Sequence, residues 1–225
     1  SFISRFIKNL SKNIKFVCVY EDGEIVKKNQ VIAKIYGNSR SILALERTIL
    51  NFLQHLSGIS TTTYFLVKKL EKSKTRLLDT RKTTTGLRKL EKYATRTGGA
   101  KNHRLNLNEK ILIKDNHICI CGGIDCVLKV LKKKKITNYQ IECDNLSQVR
   151  KLLNFGCKNL LLDNMTPKSI KKSLELAKGK KVEFELSGGI NIKNIDKFAN
   201  LGANFISSGA ITQSAQKVDI GLDIF

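Results

Sequence analysis

From Thr75 onward the chain alternates short apolar runs with helix-period stretches, and no other feature limits its fold so strongly. The runs are "RLLD", "ILIK", "YQIEC", "NLLLD", "VEFELS" and "FISS", beginning at Arg76, Ile111, Tyr139, Asn159, Val182 and Phe205. Between them lie stretches with helical spacing, Leu87 to Thr97, Leu146 to Leu153, Ser169 to Lys178 and Ile195 to Ala199. Strand, helix, strand with single short crossovers is the rhythm of a parallel sheet with helices packed outside it. Six such strands in about 135 residues leave room for one closed or nearly closed barrel and not for two domains. No GxGxxG follows the first strand, so an open doubly wound sheet ranks below an irregular parallel α/β barrel of TIM-like type.

The residues that end these strands carry the functional information. "LL" runs into Asp79-Thr80-Arg81-Lys82, "ILI" into Lys114-Asp115-Asn116-His117, "QI" into Glu142, "LLL" into Asp163-Asn164 and "FEL" into Ser187-Gly188-Gly189. "FI" runs into Ser207-Ser208-Gly209. In a parallel barrel all six endings converge on one mouth, the face where such enzymes place their chemistry. Loop polarity explains any one of them, but not acid, Lys, Arg or Ser-Gly at all six. The two glycine-containing endings precede helical stretches, where backbone N–H groups can approach a phosphate.

The densest cations lie in "DTRKTTTGLRKLEKYATRTGGAKNHR", Asp79 to Arg104, which holds eight Lys and Arg, six Thr and one His against two acids. Arg81 and Lys82 stand at a strand end, and His103 and Arg104 follow a helix and the flexible "TGGAKN". Arg offers a planar fork for carboxylates and Lys a compact charge for phosphate, so a pocket holding both should take a ligand with both groups. Arg88, Lys89 and Lys92, inside the helix, are assigned to solvent. The net charge of +22 favours anionic partners. Runs such as "LKKKKI" are read as solvated loop or helix ends. A nucleic-acid-binding face would interleave cations with aromatics, yet the chain has no Trp and 7% aromatic residues.

Ahead of Thr75, "NIKFVCVYEDGEIVKKNQVIAKIYG" reads as two short strands about a Glu-Asp-Gly turn, with a second reversal near Asn29. From Ser41 an apolar stripe, Ile42, Leu45, Ile49, Leu50, Phe52, Leu53 and Leu56, predicts a helix capped by Ser39 or Ser41. Gly58 is expected to break it before a second run, Tyr64 to Lys72. The domains are therefore set at 1–74, a small and shortened N-terminal α/β unit with connecting helices, and 75–225, the barrel, whose C-terminal end is expected to pack back on the first. The six cysteines show no paired CxxC spacing and are read as buried apolar thiols of a reduced protein. With no apolar run of about 18 residues and no leader pattern, a cytoplasmic chain without a membrane span is expected.

The stretches "LALERTILNFLQHLSGIST", Asp79 to Arg104, "LIKDNHI", "LLDNMTP", "ELSGGINIKNI" and "GANFISSGAITQSA" resemble, in order and spacing, the quinolinate phosphoribosyltransferases. The resemblance runs from about Asn13 to the C-terminus. It implies a type II phosphoribosyltransferase barrel with a small N-terminal domain, and a homodimer in which Arg47 reaches the partner's pocket. It also implies transfer of phosphoribosyl from phosphoribosyl pyrophosphate to quinolinate with Mg²⁺, giving nicotinate mononucleotide, pyrophosphate and CO₂ for NAD synthesis. By the same resemblance Thr80, Arg81, Lys82, His103 and Arg104 hold quinolinate. Lys114, Glu142 and Asp163 are the catalytic residues, the two acids lying beside the ribose and metal. Ser187, Gly188, Gly189, Ser208 and Gly209 cradle the 5′-phosphate. No metal ligand is fixed by protein alone. His55 and His117 are read as structural.

Two features depart from the family: "SFISRFIKNLSK" looks like a shortened start, and Cys143 stands where relatives tend to carry an aliphatic residue. A second reading keeps the barrel but changes the acceptor, as in the quinolinate phosphoribosyltransferase-like proteins linked to molybdate transport; retention of Arg81, Lys82, His103 and Arg104 speaks against it. The remaining rivals are an inactive fragment, to which the short start gives weight, and the nucleic-acid binder.

Overall fold

A computed structural model describes residues 2–224; Ser1 and Phe225, the outer limits of the two expected domains, lie outside the described residues. The N-terminal part begins with α1 (Phe2–Leu10), followed by β1 (Ile14–Cys18) and β2 (Ala33–Gly37), paired antiparallel with Ile14 opposite Gly37. Ile3, Ile7 and Ile14 bury themselves against Ile49 of the next helix. Two strands alone cannot make a stable sheet. That helix supplies the missing face.

α2 (Ser39–Leu70) is one helix of 32 residues, about 48 Å long at 1.5 Å per residue. It is capped by Asn38, whose Oδ1 accepts from the backbone N–H groups of Arg40 at 3.0 Å and Ser41 at 3.4 Å, so neither Ser39 nor Ser41 is the cap. The expected break at Gly58 does not occur. A mid-helix glycine costs about 1 kcal/mol relative to alanine, but a Cβ here would lie 2.1 Å from the carbonyl oxygen of Gln216. The missing side chain admits the C-terminal segment, which also bonds to α2 through Gln54 Nε2 to Ile220 O (2.8 Å) and Val218 N to Gln54 O (3.2 Å). Ile49 thus packs under the small sheet while Leu66 and Leu70, farther along α2, enter the barrel core. One helix joins both units.

The rest alternates strand and helix, with two helices the sequence reading did not name between β4 and β5: β3 (Arg76–Leu78), α3 (Arg88–Thr97), β4 (Ile111–Ile113), α4 (Asp115–Ile120), α5 (Ile124–Lys133), β5 (Tyr139–Cys143) and α6 (Leu146–Phe155). There follow β6 (Asn159–Asp163), α7 (Pro167–Leu176), β7 (Glu183–Ser187), α8 (Asp196–Ala199), β8 (Phe205–Ser207) and α9 (Ala210–Gln213). The strands are all parallel, in the order β3-β8-β7-β6-β5-β4. That order is cyclic with one seam, between β3 and β4, and there Lys101 pairs in parallel with Leu78. The outcome is an irregular α/β barrel. "LKKKKI" closes α5, with Lys132 and Lys133 in its last turn and Lys134 at its C-cap.

Period-2 alternation divides each strand between two environments. Leu77, Ile141, Leu160, Leu162, Phe184, Leu186 and Ile206 face the helices and make up the main core. The alternate residues, among them Gln140, Glu142, Asp163, Glu185 and Ser187, face the barrel interior and its mouth. Of the cysteines only Cys143 and Cys157 are buried; Cys18 and Cys119 are exposed, and Cys121 and Cys126 are half-buried with sulfurs 3.0 Å apart, because the turn carrying them lies at the surface.

Candidate active site

The mouth is organised from beneath by Asp79, the residue that ends β3. Its buried carboxylate accepts from Lys92 Nζ (2.5 Å), Thr95 Oγ1 (3.0 Å), Asn102 Nδ2 (2.6 Å) and the backbone N–H of His103 (2.7 Å). Lys92 also donates to the carbonyl of His103 at 2.7 Å. Helix α3 and the 101–104 segment are thereby tied to one strand end. Lys92 is therefore not a solvated helix cation; its place on the buried face of α3 beside Glu91 and Thr95 puts it in a polar core. Arg88 turns back onto Thr83 Oγ1 at 3.1 Å, and Lys89 is exposed.

This knot delivers Arg104 to the side of the mouth where Arg81 stands. Burial and then the nearby Arg81 guanidinium push the Arg104 pKa down from its ordinary value. Arg104 Nη1 donates to the carbonyl of Lys110 at 2.8 Å, while Arg81 Nε is buried with no partner among the described residues. A buried guanidinium nitrogen without an acceptor is costly unless a ligand completes it. Lys82 is exposed beside them, and the Thr80 hydroxyl accepts from the Lys82 backbone N–H at 3.1 Å.

His103 is placed differently. Its Nδ1 accepts from the backbone N–H of Arg104 at 2.8 Å, and its Nε2 lies within ion-pair distance of Glu185 Oε2, at 3.4 Å. His55 bonds Glu91 at 2.8 Å, and His117 Nδ1 accepts from the Lys114 backbone N–H at 2.9 Å to cap α4. Both of these are structural.

Across the mouth, Lys114 Nζ lies 3.2 Å from Glu142 Oε2. Burial raises the Glu142 pKa above its ordinary value; Lys114 opposes the rise, and Asp163 and Asp115 add to it. Glu142 and Asp163 end adjacent strands and are close enough to sense each other. Magnesium is commonly held by one or two carboxylates together with substrate phosphate oxygens, and this pair fits that role. Among the described residues no group of three His, Cys, Asp or Glu could hold a metal ion unaided.

The glycine-containing loops complete the ring. Gly188 has φ +103, and a Cβ there would meet Asn164 Oδ1 at 2.3 Å, so only glycine lets this loop lie against the end of β6. Ser187 and Gly189 flank it at the surface of the mouth. Gly209 sits over β3: a Cβ would lie 3.0 Å from the Lys82 side chain, and Thr212 Oγ1 donates to Lys82 O at 2.7 Å. Ser208 is buried, its hydroxyl donating to Ile190 O at 2.6 Å and its N–H to Leu78 O at 3.1 Å. It holds the loop rather than offering a donor. Arg47, by contrast, is exposed on the N-terminal half of α2, which packs on the small sheet.

Sequence reasoning placed Asp79 only as a strand-end polar residue, assigned Lys92 to solvent and did not single out Gln140 or Glu185. A signal for the last existed: in "EFELS" the polar residues Glu183, Glu185 and Ser187 recur at period 2, and only one face of that strand can meet the apolar helices.

Comparison with known proteins adds an independent line. Residues 59–223 match the family model described as quinolinate phosphoribosyl transferase, C-terminal domain, and residues 3–57 match the one for the N-terminal domain. A probable nicotinate-nucleotide pyrophosphorylase (carboxylating) of Bacillus subtilis is 37% identical over 220 residues, covering 96% of this chain and 75% of that protein. The corresponding protein of Methanocaldococcus jannaschii is 39% identical, covering 94% of this chain and 77% of its own length. The crystal structure of nicotinate-nucleotide pyrophosphorylase from Ehrlichia chaffeensis superposes with a TM-score of 0.92 at 41% identity, over 97% of this chain and 80% of that one.

Proposed function

This chain belongs to the quinolinate phosphoribosyltransferase family, and from that premise we infer how its barrel mouth divides the work of the reaction. The enzyme transfers phosphoribosyl from phosphoribosyl pyrophosphate to quinolinate, releasing pyrophosphate and CO₂ and forming nicotinate mononucleotide for NAD biosynthesis. The observation that carries the assignment of residues is the nearness of Arg81 to Arg104, two guanidiniums without carboxylate partners among the described residues, where a dicarboxylate would neutralise both.

In this reading Arg81, Arg104, Lys82 and Thr80 hold quinolinate with its ring nitrogen aimed at the ribose C1. Orientation turns a weak nucleophile's bimolecular attack into an oriented one. As the C1–pyrophosphate bond breaks, positive charge grows on the ribosyl centre, and Glu142 and Asp163 stabilise it electrostatically. Lys114 neutralises Glu142 between turnovers and faces the departing phosphate oxygens. Once the ring nitrogen carries ribose, its positive charge stabilises the electron pair left on the adjacent ring carbon when the carboxylate departs as CO₂, and that carbon then takes up a proton. Ser187, Gly188, Gly189 and Gly209 receive the 5′-phosphate through backbone N–H groups, with Ser208 shaping their loop. Mg²⁺ bound to the pyrophosphate beside Glu142 and Asp163 would neutralise leaving-group charge. Arg47, exposed on α2, serves the site of a second copy, making the enzyme a homodimer. No helix among the described residues is long and apolar enough to cross a membrane, and the enzyme is assigned to the cytoplasm.

The test is a stopped assay of the purified protein with Mg²⁺, phosphoribosyl pyrophosphate and quinolinate labelled at the 2-carboxyl, following CO₂. Release that requires all three and disappears in Arg81→Ala is expected. No release from a folded dimer would overturn the choice of acceptor.

A further inference from the structure

Beneath the mouth, the barrel interior holds a carboxylate that the reaction itself does not use. Glu185 lies on the inward face of β7, 3% exposed, and Gln140 on β5 donates to its Oε2 at 2.8 Å. His103 Nε2 approaches the same oxygen at 3.4 Å. These residues line a cleft of about 250 Å³ inside the barrel, together with Arg104, Lys101 and Lys110. Burying a carboxylate is expensive, and an apolar residue would fill the space at lower cost. Burial alone would raise the Glu185 pKa, yet the His103 ring beside it, through hydrogen bonding and charge, and then Gln140 and Ser207 outweigh burial and hold the pKa below its ordinary value. The Gln140 amide donating to Oε2 at 2.8 Å and the His103 ring beside the same oxygen both favour the carboxylate form.

Gln140 adds a second sign. Its Oε1 is buried without a partner. Flipping the amide would set that oxygen against the carboxylate, so the fold leaves one acceptor unpaired to keep one donor on Glu185.

The consequence runs through His103 to Arg104. A neutral imidazole carries its proton on one nitrogen only. An anion beside Nε2 draws the proton there, which leaves Nδ1 bare, and Nδ1 is the atom that accepts the Arg104 backbone N–H at 2.8 Å. With the other tautomer two donors would face each other and the 103–104 peptide would turn. We propose that Glu185, oriented by Gln140, is a positioning residue for the substrate clamp: its carboxylate fixes His103 as the Nε2–H tautomer and thereby sets Arg104. This rests on the reading of Arg104 as a quinolinate ligand. Glu185 itself touches neither substrate.

The experiment has an arm that needs no substrate. The chain has three histidines, so long-range ¹H–¹⁵N spectra of the labelled protein, assigned with a His103→Gln variant, report each ring separately. Wild-type His103 is expected to show a pyridine-type Nδ1 and a pyrrole-type Nε2. A wild-type Nδ1–H tautomer or a doubly protonated ring at neutral pH would overturn the proposal, and this arm stands even if a variant fails to fold. Glu185→Gln keeps the shape but can either donate or accept, so His103 should show mixed tautomers. KM for quinolinate should rise about tenfold, the scale of one charge-assisted hydrogen bond, with KM for phosphoribosyl pyrophosphate and thermal stability little changed. A merely structural Glu185 would instead leave the ring spectrum unchanged, or weaken both KM values and stability together. Failure of the wild type to turn over quinolinate would count against the acceptor assignment, while the ring spectra would still decide the tautomer.

Discussion

Replacing Asp79 by Asn tests the knot on which the mouth is built. The substitution conserves volume but removes the charge opposite Lys92 Nζ at 2.5 Å, in a place where the Asp79 side chain is 0% and the Lys92 side chain 5% exposed. An amide can present only one oxygen to the four donors that Asp79 now satisfies, those of Lys92, Thr95, Asn102 and the His103 backbone. Breaking a buried pair by removing one partner costs about 3–5 kcal/mol, because the other charge is left unpaired. For a chain of this size about 1 kcal/mol corresponds to a shift of roughly 2–4 °C in Tm. The Tm of Asp79→Asn should therefore fall by about 6–20 °C in a thermal melt followed by circular dichroism. Adding Lys92→Met removes the stranded charge and should recover part of the loss. A Tm within about 1 °C of wild type, or a double variant less stable than Asp79→Asn alone, would refute the view that this pair is a buried, mutually dependent unit.

Gly58→Ala should destabilise although alanine is the better helix former: the added Cβ would stand 2.1 Å from Gln216 O, and displacing that backbone should cost about 1–3 kcal/mol net of the propensity gain. A more stable variant in a thermal melt would show that the C-terminal segment does not press on α2. Glu142→Gln should stabilise the fold at neutral pH while abolishing CO₂ release. Because burial raises the folded-state pKa of Glu142, its contribution to stability is fully present below the unfolded-state value and is lost as pH rises through the folded-state value. The stability gain of the variant should accordingly vanish on acidification below the ordinary carboxylate range; a gain that persists there in urea titrations would contradict that origin.

The barrel and its mouth were legible because they depend on pattern. Six apolar runs each ending in polar groups can be read without knowing any contact, and parallel topology then brings the endings together. Pairings between segments far apart in sequence were not legible. Gly58 reads locally as a helix breaker, and its actual role depends on a carbonyl 158 residues later, at Gln216. Lys92 looks like Lys89 in composition; what separates them is that Lys92 shares the buried face of α3 with Glu91, Ala94 and Thr95. The unbroken α2 and the surface position of Cys121 and Cys126 likewise follow from what packs on them, not from their own spacing.

Those fates sort most of the cations from Asp79 to Arg104 by whether the protein itself supplies the opposing charge; Arg88, half-buried, rests instead on the Thr83 hydroxyl. Lys92 has Asp79 and is structural. Lys89 and Arg96 face water, where charge is cheap to keep. Arg81 and Arg104 are half-buried, and among the described residues neither has a carboxylate at ion-pair distance. Burial without a counter-charge is unfavourable for the empty site, and it persists only if a ligand relieves it. A monoanion would leave one guanidinium facing the other's repulsion, whereas a rigid dicarboxylate answers both and gains their mutual relief in addition. With Arg81 and Arg104 as the proposed quinolinate clamp, a preference for a dianion is thus built from a cost the free enzyme carries.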